Sequence, residues 1–190
     1  MAQKKKRRPK KPTIEYTYLA VRVEHYEASV SAAINHDAYK PQYAFRLEDD
    51  DPLYQFETRL RIQGMATDPA ERAGEGYELT VQAEASPSRS VYWTLKDVHV
   101  RGEYNSPQYR EYRGQRLPVY DPPKGLGVIE KVRGEPRWTG WIFAQPRFVT
   151  DLLVLLGQGR PLYLALDERK IERRRWVRSV ALQTRDPAEE

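Results

Sequence analysis

The chain of 190 residues contains no cysteine, and this absence removes several kinds of chemistry at once. Without thiols the protein can form no disulfide, bind no metal through thiolates and use no cysteine nucleophile. A chain without cysteine also fits a reducing compartment. The sequence therefore predicts a cytoplasmic protein, associated with the nucleoid if the source is bacterial and nuclear if it is eukaryotic.

Long apolar runs are missing as well. No stretch approaches the ~18 consecutive apolar residues of a membrane span, so no membrane association is predicted. The basic N-terminus is followed by TIEYTYLAVRVEH, which lacks the apolar core of a secretory signal peptide. Tyrosine, with 13 residues, is the most frequent aromatic residue, and this composition favours strands and half-buried surfaces.

Recognisable catalytic and metal-binding motifs are also absent. The histidines at 25, 36 and 99 are scattered, and none stands beside a serine in a setting typical of nucleophilic catalysis. Four consecutive carboxylates at 48–51 lead into Pro52, whereas calcium loops alternate their oxygen ligands around a glycine, so a solvated turn is favoured. The sequence predicts a protein that is not an enzyme and that holds no metal or cofactor.

Alternation of apolar and polar residues dominates what is present. Runs that begin at Thr13, Glu57 and Tyr77 alternate with a period of two, and further strand-like runs follow them. About eight short strands at a spacing of ~8–12 residues predict a mainly β fold, either an antiparallel β-sandwich or a partly open barrel. One domain is expected over 13–190, with a turn at 167–170 between the last two strands.

Two segments carry a helical pattern. Pro146 fits a first helical turn, an apolar stripe follows it and Gly157 can end the segment, so a short buried helix is predicted at about 146–157. Residues 26–38 place apolar side chains at helical spacing but also alternate in part. A second helix there is therefore an alternative to a strand.

Charge is distributed unevenly along the chain. Residues 1–12 hold seven basic and no acidic side chains, residues 13–100 hold 8 basic and 15 acidic ones (8 − 15 = −7), and residues 101–190 hold 17 basic and 12 acidic ones (17 − 12 = +5). The first twelve residues repel one another and contain two prolines, so they are predicted to be a disordered tail. The other two blocks form oppositely charged surfaces unless they interleave in one sheet.

Three basic segments combine positive charge with side chains that can stack on bases. They are the tail, a predicted long loop at about 104–127 that is rich in arginine, tyrosine and proline, and the segment ERRRWVR at 172–178. Lysine and arginine neutralise phosphates and release counterions, and aromatic and guanidinium planes stack on exposed bases. The predicted nucleic-acid-binding residues are Lys4, Lys5, Lys6, Arg7, Arg8, Lys10, Lys11, Arg110, Tyr112, Arg113, Arg173, Arg174 and Arg175.

These segments favour a non-catalytic accessory protein that binds DNA or RNA without sequence preference, through the basic arm and an Arg/Tyr-rich surface. The alternative is a β-sandwich module for protein–protein interaction or assembly that makes no direct contact with nucleic acid, because arginine and tyrosine are also enriched at protein interfaces. Within 172–178, Trp176 shares a phase with Val180 and Leu182 and is predicted to belong to the core.

Overall fold

The computed structural model describes residues 14–34, 39–40, 45–46, 54–84, 93–171 and 173–187. The fold is mainly β with one short helix, α1 (Pro146–Leu156), and with 3₁₀ turns at Trp93–Leu95 and Glu103–Asn105. The strands are β1 (Glu15–Ile34), β2 (Tyr39–Lys40), β3 (Phe45–Arg46), β4 (Tyr54–Asp68), β5 (Gly76–Ala83), β6 (Val98–His99), β7 (Tyr109–Tyr112), β8 (Gln115–Pro118), β9 (Tyr120–Asp121), β10 (Gly127–Lys131), β11 (Arg137–Ala144), β12 (Tyr163–Ile171) and β13 (Arg174–Gln183).

Seven strands close into a barrel in the order β1–β12–β13–β10–β11–β5–β4. Neighbours in the barrel are antiparallel except for β5 and β11, which run parallel with Gly76 opposite Arg137 and Ala83 opposite Ala144. This parallel pair closes the sheet on itself, and closure removes the unpaired edges that a sandwich or an open barrel would retain. The mainly β prediction is confirmed, and the predicted sandwich or partly open barrel is wrong.

The two oppositely charged halves of the chain do not interleave. β1, β4 and β5 come from residues 15–83 and are contiguous in the barrel, while β10 to β13 come from residues 127–183 and complete it. The negatively charged and positively charged halves of the sequence therefore supply different sides of the barrel.

Alternate residues of the barrel strands point inward and form an apolar core. Among its fully buried members are Leu19, Leu60, Leu79, Ile142 and Leu164. At one end of the barrel, α1 adds Val149, Leu152 and Leu156 to this core. Pro146 begins the helix and Gly157 caps it, so the short buried helix predicted at 146–157 is confirmed.

β1 and β4 continue past the helix end of the barrel as a two-stranded ribbon, called here the arm (30–34 paired with 54–58). β12 pairs with β1 only as far as Arg22, and β5 pairs with β4 only from Arg59 onward. Within the described residues the arm therefore has no third strand. A register shift in β1 between Val23 and His25 brings the apolar residues of the arm into the phase that faces inward in the barrel.

A segment called here the insertion (93–126) leaves the barrel between β5 and β10. Its strands β6 and β9 pair with each other, and β7 and β8 form a tight hairpin. Arg113 and Gly114 both have positive φ, as the two central residues of a type I′ hairpin turn require. The predicted long loop at 104–127 thus contains strands whose arginine and tyrosine residues obscured the alternating pattern.

Two further predictions fail at particular residues. The alternative helix near 26–38 is wrong for residues 26–34, because they pair with β4 along their whole length; residues 35–38 lie outside the described residues. The turn predicted at 167–170 is also wrong, because β12 continues through it to Ile171. In the part of the chain that the structure describes, no helix is long and apolar enough to span a membrane.

Candidate nucleic-acid interface

A β-bulge in β13 determines which residues of that strand face the solvent. The pairing with β12 shifts between Asp167 and Glu168, so that Ser179 and Val177 face consecutive residues and Arg178 is the extra one. Beyond the bulge the phase reverses, and Trp176 lies buried on the outer surface of the barrel instead of in its interior. Trp176 is buried as predicted, but it is outside the core cluster that contains Val177.

Arg174 and Trp176 line a pocket of about 430 Å³ on this outer surface, called here the aromatic pocket. It lies across β4, β5, β11, β10 and β13, and Thr94 of the insertion lines one side of it. The lining residues are Arg59, Gln82, Thr94, Val128, Glu130, Trp141, Phe143, Arg174 and Trp176. The Trp141 ring is 44% exposed, and the guanidinium carbon of Arg59 lies 5.8 Å from the centre of that ring.

A second pocket of about 400 Å³, called here the cationic pocket, shares Phe143 with the first. Lys124, Arg169 and Arg178 line it together with apolar residues, and no carboxylate is among its lining residues. Arg169 donates through Nε to the Lys124 carbonyl at 2.9 Å and so fixes the C-terminal end of the insertion against β12. The two pockets adjoin at Phe143, which lines both, and together they are called here the groove.

Ion pairs partly neutralise three arginines of the groove. Arg178 lies 3.5 Å from Asp167, and Arg59 lies 2.8 Å from Glu57. Arg174 lies 3.9 Å from Glu130, which lines the groove. These pairs are largely exposed and contribute about 0–1 kcal/mol each, so a phosphate can compete with the carboxylates. The groove as a whole presents five cations and one carboxylate among its lining residues.

The β7–β8 hairpin carries two arginine–tyrosine pairs on its surface. The guanidinium carbon of Arg116 lies 4.5 Å from the centre of the Tyr109 ring, and that of Arg113 lies 5.2 Å from the Tyr112 ring. All residues of β7 are exposed. Cation–π contacts of this kind hold each guanidinium plane near its ring while both remain accessible.

The predicted binding residues fall into four groups. Arg110, Tyr112 and Arg113 lie together on the exposed hairpin, and Arg173 and Arg174 are exposed at the β12–β13 junction, where Arg174 lines the aromatic pocket. The seven basic residues of the tail lie outside the described residues. Arg175 belongs to neither surface, because the reversed phase of β13 directs it toward the end of the barrel opposite α1.

That end of the barrel contains a set of ionisable side chains, called here the ionic cluster (Arg72, Glu75, Glu168 and Arg175). The carboxylate of Glu168 is fully buried, and its Oε2 lies 3.3 Å from Arg72 and 3.4 Å from Arg175. Both guanidinium groups also lie over the Trp138 ring, at 4.1 and 5.3 Å from its centre. Arg175 therefore has a structural environment, and its inclusion among the nucleic-acid-binding residues is not supported by its position.

Glu75 completes the ionic cluster near the solvent. Burial on its own raises the pKa of this carboxyl, but hydrogen bonds from Lys131 and Trp138, together with the charges of Lys131 and Arg72, outweigh that effect and leave the pKa below its ordinary value. The indole nitrogen of Trp138 donates to Glu75 Oε2 at 2.7 Å. Glu75 is thus held in its ionised form by three neighbours.

The histidines considered for catalysis do not meet. His25 lies 3.7 Å from Glu27 on the exposed side of β1, whereas the His99 ring packs at a tilt against Tyr120 in the insertion. His36 lies outside the described residues, as do the carboxylates at 48–51. Among the residues that the structure describes, no group of three histidine or acidic side chains is placed to hold a metal ion. That the protein is not an enzyme stays a prediction.

Sequence reasoning missed several residues of the groove, namely Arg59, Lys124, Trp141 and Arg169. These four residues are difficult to predict from the sequence, because they come from four segments that only the closed barrel brings together. The alternation Arg174–Trp176–Arg178 is the one local signal that could have indicated a shared outer face. Comparison of the chain with protein-family models, with curated proteins and with solved structures found no match.

Proposed function

We propose that the protein is a non-catalytic accessory protein that binds nucleic acid without sequence preference, with its basic tail and an Arg/Tyr-rich surface contacting the phosphate backbone. The observation that supports this most directly is the β7–β8 hairpin, where Arg113 and Arg116 are held over exposed tyrosine rings. A guanidinium group is always charged, contacts phosphate with two parallel hydrogen bonds and stacks on planar groups. The hairpin offers two such groups at a rigid turn.

The groove extends this surface onto the barrel. The insertion begins beside Leu95 and returns at Pro123, and both residues line the cationic pocket. The hairpin is therefore rooted at the groove. The tail, with seven basic residues and no acidic one, adds a sequence-independent attraction for phosphate. Such a protein acts where nucleic acid is present, in the cytoplasm, the nucleoid or the nucleus.

Salt-dependent titration of the full-length protein and of a variant that lacks residues 1–12 tests this function. If all seven tail charges engage duplex DNA, their removal should reduce the slope of log affinity against log salt by about 6, because each neutralised phosphate contributes about 0.9. The measurement is fluorescence anisotropy with single- and double-stranded DNA and RNA. An unchanged slope would exclude the tail from the binding surface.

The hairpin is tested separately with the double substitution Arg113→Ala and Arg116→Ala. We expect weaker binding to every nucleic acid tested and a slope reduced by about 2, since each arginine contributes about 0.9. Arg160→Ala, which removes an exposed arginine just after α1, is the matched control for loss of charge. Equal effects of the hairpin and control substitutions per charge removed would show only nonspecific attraction to a basic protein.

A second candidate function, protein–protein interaction, is favoured by the arm. Its apolar face exposes Val30 and Phe56, each to 77%, beside Ile34 and Tyr54. The segment 35–53 that joins its two strands holds five acidic and two basic residues (2 − 5 = −3), which disfavours nucleic acid as its ligand. The partner that fits is a protein with an apolar patch beside basic residues.

Substitution of the arm tests this second function. Val30→Asp with Phe56→Asp should abolish co-purification of a protein partner that persists after nuclease treatment and at high salt, because carboxylates would be buried in the apolar contact. Tyr16→Asp, which changes an exposed aromatic residue on β1 outside the arm, is the control. A partner retained by the arm variant would contradict the assignment of the interface to this ribbon.

A further inference from the structure

We infer that the groove binds unpaired bases of a single-stranded nucleic acid, with Trp141 as the stacking platform and the cationic pocket as the site of the adjoining phosphate. This inference rests on the proposed function and specifies the class of nucleic acid that the groove takes. It adds to the tail and the hairpin a site that depends on the base as well as on charge.

Trp141 differs from the neighbouring tryptophans in its exposure. Trp138 is buried over the arginines of the ionic cluster and Trp176 is buried under the insertion, whereas Trp141 leaves nearly half of its surface open to the aromatic pocket. Exposing a large aromatic ring inside a concave surface forgoes the gain in free energy that its burial would bring. A planar ligand that covers the ring recovers this gain, and stacking on a base does so for any base sequence.

The polar groups of the aromatic pocket suit the edge of a base. Thr94 is buried, and its hydroxyl has no hydrogen-bond partner among the described residues. A hydroxyl can donate to or accept from a base, so it satisfies purines and pyrimidines alike. Arg59 brings a second planar group to the Trp141 ring. The hydroxyl oxygen itself is not accessible in this structure, so the pocket offers stacking, and a hydrogen bond to the base requires rotation of the Thr94 side chain.

The cationic pocket lies where the backbone of the same strand would pass. Arg174 lines the aromatic pocket and Arg178 lines the cationic pocket, four residues apart on β13, a separation of about 13 Å along an extended strand. Lys124 and Arg169 add two cations beside Arg178. A phosphate at this position contacts three cations and no lining carboxylate. The base of the ligand therefore lies in the aromatic pocket and its phosphate lies in the cationic pocket.

The geometry favours single strands over duplexes and over acidic peptides. In a duplex the faces of the bases are covered by their neighbours, so only an unpaired base can reach the Trp141 ring inside a pocket. An acidic peptide satisfies the cations but leaves the ring uncovered. A ligand that combines a planar apolar face with a phosphate uses both pockets.

The test compares full-length wild-type protein with Trp141→Ala and Trp141→Phe by anisotropy titration. The probes are a labelled oligothymidylate, a duplex of equal length and a polyglutamate of matched charge. We expect Trp141→Ala to weaken binding of the single strand between about fivefold and a hundredfold, the range for loss of one stacked base. Binding of the duplex should change less than twofold, the salt slope should stay the same, and Trp141→Phe should restore most of the affinity.

Tyr54→Ala, which removes an exposed aromatic ring from the arm, is the control and should leave single-strand binding unchanged. Equal losses for single strand and duplex in Trp141→Ala, or wild-type affinity for polyglutamate equal to that for the oligonucleotide, would overturn the inference. Unchanged single-strand binding in Trp141→Ala would overturn it while leaving the proposed function intact. Failure of the wild-type protein to bind any nucleic acid would overturn both. Thermal melting followed by circular dichroism establishes that each variant is folded.

Discussion

The two ends of the barrel are closed by opposite means. At one end, Leu152 and its neighbours on α1 insert apolar side chains, and at the other, Glu168 is buried between two arginines. The apolar end needs no particular partner atoms, whereas the charged end is stable only if each charge keeps its counterpart. Arginine therefore has two roles in this protein. It is structural at Arg72 and Arg175, and it is a surface residue on the hairpin and in the groove.

Removal of the central carboxylate of the charged end should have the largest effect on stability. Glu168→Ala leaves the buried guanidinium of Arg72 and the half-buried one of Arg175 without the carboxylate that they share, and we expect a loss of about 3–5 kcal/mol in the free energy of unfolding. Glu130→Ala removes an exposed carboxylate 3.9 Å from Arg174 and should change stability by less than about 0.5 kcal/mol. Guanidinium denaturation measures both. Equal effects of the two substitutions would mean that the ionic cluster does not stabilise this end.

At the apolar end, the free energy of unfolding should depend on the volume of the buried side chains and not on their charge. Leu152→Ala should destabilise the protein by about 2–5 kcal/mol, because a buried methyl-bearing side chain is replaced by a cavity. Val154→Ala, two residues away on the exposed face of the same helix, should cost less than about 0.5 kcal/mol. Denaturation midpoints at constant slope separate the two outcomes. Similar values would show that α1 lies on the barrel without closing it.

The pH dependence of stability should distinguish the ends further, with a smaller effect. The folded-state pKa of Glu75 lies below its ordinary value, so its ionised form stabilises the fold above the unfolded-state pKa, and this contribution is lost as the pH falls through the folded-state pKa. Glu75→Gln should therefore flatten the acid side of the stability profile. Urea denaturation from neutral pH down to acid measures it, with Glu135→Gln as an exposed control for the change in net charge. An equally steep profile in Glu75→Gln would contradict this origin of the acid sensitivity.

The smallest effect is expected in the arm, which leaves the barrel at the apolar end. Val30→Ser and Phe56→Ser replace side chains that are mostly exposed, so each should change the free energy of unfolding by less than about 0.5 kcal/mol. Thermal unfolding of the wild-type protein and of each variant measures this. A large loss of stability would mean that the arm is packed like a core element.

Local patterns in the sequence were sufficient for the helix and for the β character of the fold. α1 is recognisable because Pro146, the apolar stripe and Gly157 all lie within twelve residues, and alternation marks β4 and β5 in the same local way. Closure of the barrel was not predictable, because it depends on a parallel pairing between β5 and β11, which lie far apart in the sequence.

The candidate site was predictable only in part, because a bulge in β13 changes which of its residues face outward. A single extra residue at Arg178 reverses the phase of β13, so Trp176 moves to the outer surface and Arg175 points to the end of the barrel. Composition alone treats Arg173, Arg174 and Arg175 as one cluster. Glu168 contacts Arg72, which is 96 residues away in the chain, and no local sequence pattern predicts that contact.

The long strand β1 lies between two segments of the chain that carry opposite charge. Its 20 residues extend about 66 Å at 3.3 Å per residue, with the seven basic residues of 1–12 before its first residue and the acidic segment 35–53 after its last. Charges of opposite sign therefore flank this strand in the sequence. Under the proposed function, a polyanion would attract the basic block and repel the acidic one, which would leave the apolar ribbon accessible to another molecule while nucleic acid is bound.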